Sequence, residues 1–272
     1  MSLLGRKFST EIMEQKMKIE LNRILLCGVF ATIASSAFAE ENPIDWTGSY
    51  VGLFAGTYNA NTKLTTVESN RSVYPTFGVG DFNSPNIDGS IIGGELGFNH
   101  QSGQVVYGVS ASLSHSNASS TDWSIDGCCG SSPDDKFTSK MQKMYTAEAR
   151  IGYSFNRFLI SASGGLVSGQ YSLTIQDDNI ERDGTVHSNS TGRGSDSKFL
   201  KGFKTGISID YALDEKWSVG TDIEWIRLNA ENLDATGQSY SFAGTPNGVG
   251  TYIMSPQDLK SRIVTINLKY KF

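Results

Sequence analysis

Three histidines are the first candidates for chemistry in this chain: His100, His115 and His187. His100-Gln101-Ser102 sets a base two residues from a hydroxyl, but a working nucleophile needs base, hydroxyl and an orienting group to converge. The tripeptide falls in a short turn, and His115 and His187 lie in long polar segments with no nucleophile or carboxylate at a fixed spacing. No catalytic residue is therefore expected. The acidic run Asp177-Asp178-Asn179-Ile180-Glu181-Arg182-Asp183-Gly184 does not suit calcium, because Arg182 stands at the sixth loop position and Ser188 at the twelfth, where glycine and glutamate are needed. Gly192-Arg193-Gly194 lacks the strand and helix around it that a nucleotide fingerprint requires. No metal or cofactor is expected. Cys128 and Cys129 are adjacent, and two neighbours cannot staple a fold; a vicinal disulfide, an intermolecular bridge and an incidental pair all stay open.

One set of charges is placed more systematically. Glu95, Glu148, Arg150, Lys204, Asp210, Asp222 and Glu224 each alternate with aliphatic or aromatic neighbours, and each shares its face with glycine and serine. Such charges can pair with one another in a polar interior. The elements that must position them are strands, because apolar residues recur with period two in eight segments: 46–58, 91–99, 105–114, 145–155, 158–169, 203–212, 217–227 and 263–272. In the third, Val105, Tyr107, Val109, Ala111 and Leu113 oppose Val106, Gly108, Ser110, Ser112 and Ser114. Gly52, Gly56, Gly93, Gly97, Gly108, Gly152, Gly206 and Gly220 all fall on the charged face, where small residues leave room for long side chains.

Short links at 101–104, 156–157 and 213–216 alternate with long polar segments at 59–89, 115–143, 171–200 and 228–258. That segregation is the signature of an up-and-down barrel with tight turns at one end and long loops at the other. Trp46, Phe98, Tyr107, Tyr153, Phe155, Phe158, Tyr211, Trp217, Tyr270 and Phe272 lie near the short turns, as an aromatic girdle would. The expectation is an all-β, eight-stranded antiparallel up-and-down transmembrane barrel with short periplasmic turns and long extracellular loops. An interior of that width is filled by side chains, so a plugged lumen is expected rather than an open pore.

Composition narrows the alternatives. The chain has 272 residues, 29 of them glycine and 11% aromatic. Its mean hydropathy is −0.26, and it has one apolar run, Ile24 to Ala39, so a polytopic helical protein is excluded. Lys18 and Arg23, the apolar stretch Ile24 to Ile33 and Ala37-Phe38-Ala39 read as a secretory signal. Residues 1–39 are therefore assigned to an upstream extension plus cleaved signal peptide, with Met17 as the start, and residues 40–272 to the barrel. Removing 1–39 takes away five basic and three acidic residues and leaves a charge of −7, against −5 for the whole chain. Nucleic acid is excluded as a partner, since phosphate contacts need clustered cations.

Trp46-Thr47-Gly48-Ser49-Tyr50-Val51-Gly52, followed by Gly56, resembles the opening strand of the OmpA-like outer-membrane β-barrel domain, in particular the porin-like small surface antigens of alphaproteobacteria. Ile92-Gly93-Gly94-Glu95-Leu96-Gly97-Phe98-Asn99-His100-Gln101-Ser102-Gly103 is similar to that family's second strand and turn. Ala149-Arg150-Ile151-Gly152-Tyr153-Ser154-Phe155 is similar to its fourth strand, and Asn267-Leu268-Lys269-Tyr270-Lys271-Phe272 to its last. Where relatives often carry acids in the third strand this chain has Ser110 and Ser112, so its interior pairing must differ. The resemblance implies residence in the bacterial outer membrane and a structural and surface-antigen role in envelope integrity without catalysis. The alternative it implies is a narrow porin or a hemin-binding surface receptor, for which Tyr171, His115 and His187 are candidates by type. It also implies that Tyr270 and Phe272 form the signal read by the barrel-assembly machinery. Lys136, Lys140, Lys143, Lys198 and Lys201, with Arg193, Lys260 and Arg262 near them, fall where loops descend into strands. That height faces lipopolysaccharide phosphates, so outer-membrane lipid and lipopolysaccharide are the expected partners. Host or peptidoglycan-associated partners stay unassigned.

Overall fold

β-branched and aromatic residues at every second position leave a strand as the element that gathers them on one face. The computed structural model describes residues 44–69, 82–124, 135–177, 191–240, 246–250 and 252–272. Residues 1–39, Cys128, Cys129, His187 and the acidic run from Asp178 to Ser188 lie outside the described residues. Eight long strands carry the architecture: β1 (Gly48–Ser69), β2 (Asn86–Ser102), β3 (Val105–Ser116), β4 (Asp135–Phe155), β5 (Phe158–Asp177), β6 (Thr191–Ala212), β7 (Trp217–Leu228) and β8 (Tyr252–Lys271). Each pairs antiparallel with the next, and β8 pairs back onto β1, so the sheet closes into a ring. Val51 of β1, for example, stands opposite Leu96 of β2 on one side and Tyr270 of β8 on the other. Short strands at Phe82–Asn83, Ser119–Ser124, Leu233–Asp234, Gly237–Tyr240 and Pro246–Gly250 extend the end away from the tight turns.

The three short links sit where the sequence places them. Gly103 (φ 61°) and Asn156 (φ 52°) begin the first two, and glycine and asparagine are the residues that best tolerate this left-handed backbone. In the third, the Asp214 carboxylate accepts the backbone N–H groups of Lys216 and Trp217, each at 2.7 Å.

Strand polarity inverts partway along the barrel. In the half of β1 near the turns, Val51, Leu53 and Ala55 face outward while Tyr50, Gly52 and Phe54 face the interior. Farther along, outward Asn59, Asn61 and Lys63 are exposed while inward Tyr58, Ala60 and Leu64 are buried. β5 repeats the change, from outward Ile160, Ala162 and Leu166 to outward Ser168, Gln170 and Ser172 over buried Val167, Tyr171, Leu173 and Ile175. The lower storey thus has an apolar exterior and a polar lumen, and the upper storey has a polar exterior and an apolar core.

This inversion corrects the expected loop boundaries. β1 runs on to Ser69, β4 starts at Asp135, β5 continues to Asp177, β6 starts at Thr191 and β8 at Tyr252, all inside segments read as loops. Their outward positions are polar, which lowers the average hydropathy, while every second residue still feeds a core. Trp46 is a second correction. It does not join the girdle but is 7% exposed, inside the barrel mouth against Val106, Leu159 and Ala212. Its indole N–H donates to Ser154 Oγ at 3.1 Å and its backbone N–H to Gln101 Oε1 at 2.8 Å. Leu159 and Ala212 leave an apolar cup at the mouth that an indole fills.

Candidate functional site

All seven charged residues singled out by the alternation lie in the lower-storey lumen, on β2, β4, β6 and β7. They divide into two linked groups. On one side Lys204 Nζ lies 2.6 Å from Glu224 Oε1 and 3.1 Å from Glu148 Oε2. Ser110 Oγ donates to Glu148 Oε1 at 3.0 Å, and Ser112 bonds Thr146 at 2.7 Å. The two serines that replace acids in β3 thus serve as hydroxyl partners for β4. On the other side Lys269 Nζ bridges Asp210, at 2.9 Å, and Glu95, at 3.6 Å. Asp222 has no ion-pair partner among the described residues; its Oδ2 accepts from Asn267 Nδ2 at 2.7 Å and from Thr265 Oγ1 at 3.2 Å. The Arg150 guanidinium stands 5.6 Å from the centre of the Tyr50 ring, and Lys269 Nζ stands 5.8 Å from it.

Lys269, Tyr50 and Asn267 are members of this network that charge placement alone did not select. The signal for Lys269 was present, since it alternates with Leu268 and Tyr270 on the side that carries Thr265 and Asn267. Glycines give the network its space. A Cβ on Gly97 would come within 2.5 Å of the Tyr50 ring, and one on Gly52 within 2.9 Å of Glu95.

The lumen is filled at three levels. Trp46 closes the mouth beside the short turns, the ion-paired layer fills the middle, and the apolar cluster that includes Tyr58, Leu64, Met141, Tyr171 and Leu259 fills the top. Tyr58 bonds Ser261 Oγ at 2.6 Å, and Tyr171 donates to Ser139 Oγ at 2.8 Å. Between these levels are two cavities of about 30 Å³ each, with Arg150 lining both. Each is wide enough for a water molecule and too small for a solute.

The remaining candidates are scattered. Tyr171, read as a loop residue and hemin-ligand candidate, is buried in the upper core, because the strand that carries it runs on past the expected loop boundary. His115 faces outward at the top of β3, and the His100 ring packs 5.1 Å from Tyr107. Lys140, Lys143 and Lys201 are exposed on the outer wall just above the apolar band, and Lys136 is half-buried. Lys198 donates to the Asn232 carbonyl at 2.6 Å and lies 3.9 Å from Asp196. At the girdle, Tyr270 stands 4.9 Å from Trp217 and 5.4 Å from Phe272, ring to ring.

A family model described as "Outer membrane protein beta-barrel domain" matches residues 25–272. The 22 kDa outer membrane protein of Rhizobium leguminosarum bv. viciae is 26% identical over 208 residues, covering 70% of this chain and 81% of that protein. The 31 kDa outer-membrane immunogenic protein of Brucella melitensis biotype 1 is 25% identical over 242 residues, covering 81% of this chain and 92% of that protein. Among solved structures, Neisserial surface protein A aligns with a TM-score of 0.39 at 12% identity, over 83% of this chain and 98% of that one.

Proposed function

Because the chain belongs to the outer membrane protein beta-barrel domain family, and so resides in the bacterial outer membrane, we propose that it acts there as a closed, non-catalytic barrel. Its role is structural, in envelope integrity, and its upper storey is a surface antigen. The observation that carries this reading is the lumen, filled among the described residues by an indole, an ion-paired layer and an apolar core, with two water-sized gaps between them. An interior so occupied favours stiffness over passage. The immunogenic name of the Brucella relative supports the antigen reading. Tyr270 and Phe272 would present the aromatic end of the last strand to the insertion machinery.

Planar-bilayer recording on the purified, folded protein tests this function. The expected trace is flat at physiological salt. Reproducible single-channel steps would overturn the reading and favour a narrow porin.

A further inference from the structure

We propose that the outer wall of β6, β7 and β8 binds the phosphate groups of an acylated, phosphorylated lipid of the outer leaflet, lipopolysaccharide in kind, through Lys201, Arg227, Lys260 and Arg262. All four side chains are exposed on the exterior. Lys260 stands directly opposite Arg227 across the β7–β8 pair, and Arg262, the next outward residue on β8, stands opposite Trp225. Phe203 faces Arg227 from β6, and the Asn229 amide bonds the Lys201 carbonyl, which places Lys201 beside the top of β7. Like charges directly across a strand pair repel. One carboxylate ion-pairs within the patch among the described residues, Asp258 at 2.9 Å from Arg227. Asp258 is one of two described non-glycine residues with positive φ, at 51°, and it sits beside the register shift between Asn61 and Lys63. Strained backbone of this kind persists where the surroundings impose it. The carboxylate lies on the guanidinium, and among the described residues Lys201, Lys260 and Arg262 have no carboxylate within ion-pair distance.

The location selects the ligand. Phe203 lies one outward step below Lys201 on β6 and Trp225 one below Arg227 on β7, both exposed, followed down the same wall by Ile207 and Ile266. Successive outward residues on a strand are about 7 Å apart, so Lys201, Arg227 and Arg262 each stand one step above an apolar residue of their own strand, with Lys260 one step higher, at headgroup height. A phosphorylated lipid satisfies both parts at once, with acyl chains along the aliphatic wall and phosphates against the cations, where arginine binds them in fork geometry. A soluble acidic protein would engage the cations but leave the aromatic border unused. The inference rests on the outer-membrane placement and not on the closed lumen, so a conductance result does not bear on it.

Native mass spectrometry of the folded protein in mild detergent, titrated with bisphosphorylated lipid A, tests it. Wild type is expected to retain one lipid, and K201Q/R227Q/K260Q/R262Q to lose at least tenfold in affinity while still shifting on a gel after boiling, as a folded barrel does. If the quadruple variant does not fold, K201Q/K260Q carries the same test with a loss of at least threefold. Dephosphorylated lipid A is expected to bind at least tenfold more weakly, and inorganic phosphate at equal concentration not to displace the lipid. K140Q/K143Q, on the neighbouring wall of β4, is expected to bind within twofold of wild type. Unchanged affinity in the β6–β8 variants, equal binding of dephosphorylated lipid, displacement by phosphate, or an equal loss in the β4 variant would each overturn the proposal.

Discussion

Lys204 joins two carboxylates from different strands inside the lumen. It is 4% exposed and holds Glu148 and Glu224 together. Removing one member of a buried pair strands the others without compensation, at a cost of about 3–5 kcal/mol. Lys204→Met should therefore lower the urea midpoint of the folded barrel sharply, and adding Glu148→Gln and Glu224→Gln should recover most of the loss. A midpoint unmoved by Lys204→Met would show that the network does not hold the barrel. Gly97 makes the complementary point, since its missing side chain is where Tyr50 lies. Gly97→Val forces the ring away and should cost about 1–3 kcal/mol by overpacking, read from the same denaturation curve. Seven charged members of the network were legible because glycine and serine mark the interior face of each strand. Tyr50 shares the face of Gly52 and Gly56, so alternation places it inside. What single-strand periodicity does not report is the gap at Gly97, on another strand, that its ring fills.

At the scale of the element, the strands were legible where their exteriors are apolar and invisible where they are not. β5 and β6 were each read to about half their length, because beyond Leu166 and Phe203 the outward residues turn polar and the segment takes on the composition of a loop. The phase of alternation persists, and it is the environment of the outer face that changes. The turns were easier, since each needs only a few residues of definite type. The link between β6 and β7 shows the physics, because two backbone N–H donors, from Trp217 first and Lys216 second, hold the Asp214 carboxyl below its ordinary value of 3.8. A carboxyl so lowered stabilises the folded state fully above its unfolded value and loses that effect as pH falls through the lowered one. Asp214→Ala should thus show a small deficit in urea midpoint at pH 7 and at pH 5 that closes below pH 4. A deficit independent of pH would point to the turn's shape rather than its charge.

For the molecule as a whole, five of the eight strands have 20 to 22 residues. Tilted by about 40° and rising about 3.3 Å per residue, they reach roughly 50 Å, twice the apolar band of about 25 Å that a bilayer requires. Neutron reflectometry on a supported bilayer should find a protein layer extending about 25 Å beyond the hydrocarbon band of the outer leaflet, and a layer under about 10 Å would contradict the two-storey arrangement. The hoop itself was legible from the alternation of short and long links, but its height was not. The closure of that hoop also dictates an order of events. The Phe272 amide bonds the Ser49 carbonyl at 3.0 Å, and β1 finds its second neighbour only in β8. A growing chain therefore cannot close its sheet as it leaves the ribosome. Until β8 is made, the nascent polypeptide carries a bare strand edge on β1 and on β7, so its passage to the membrane depends on being held unfolded.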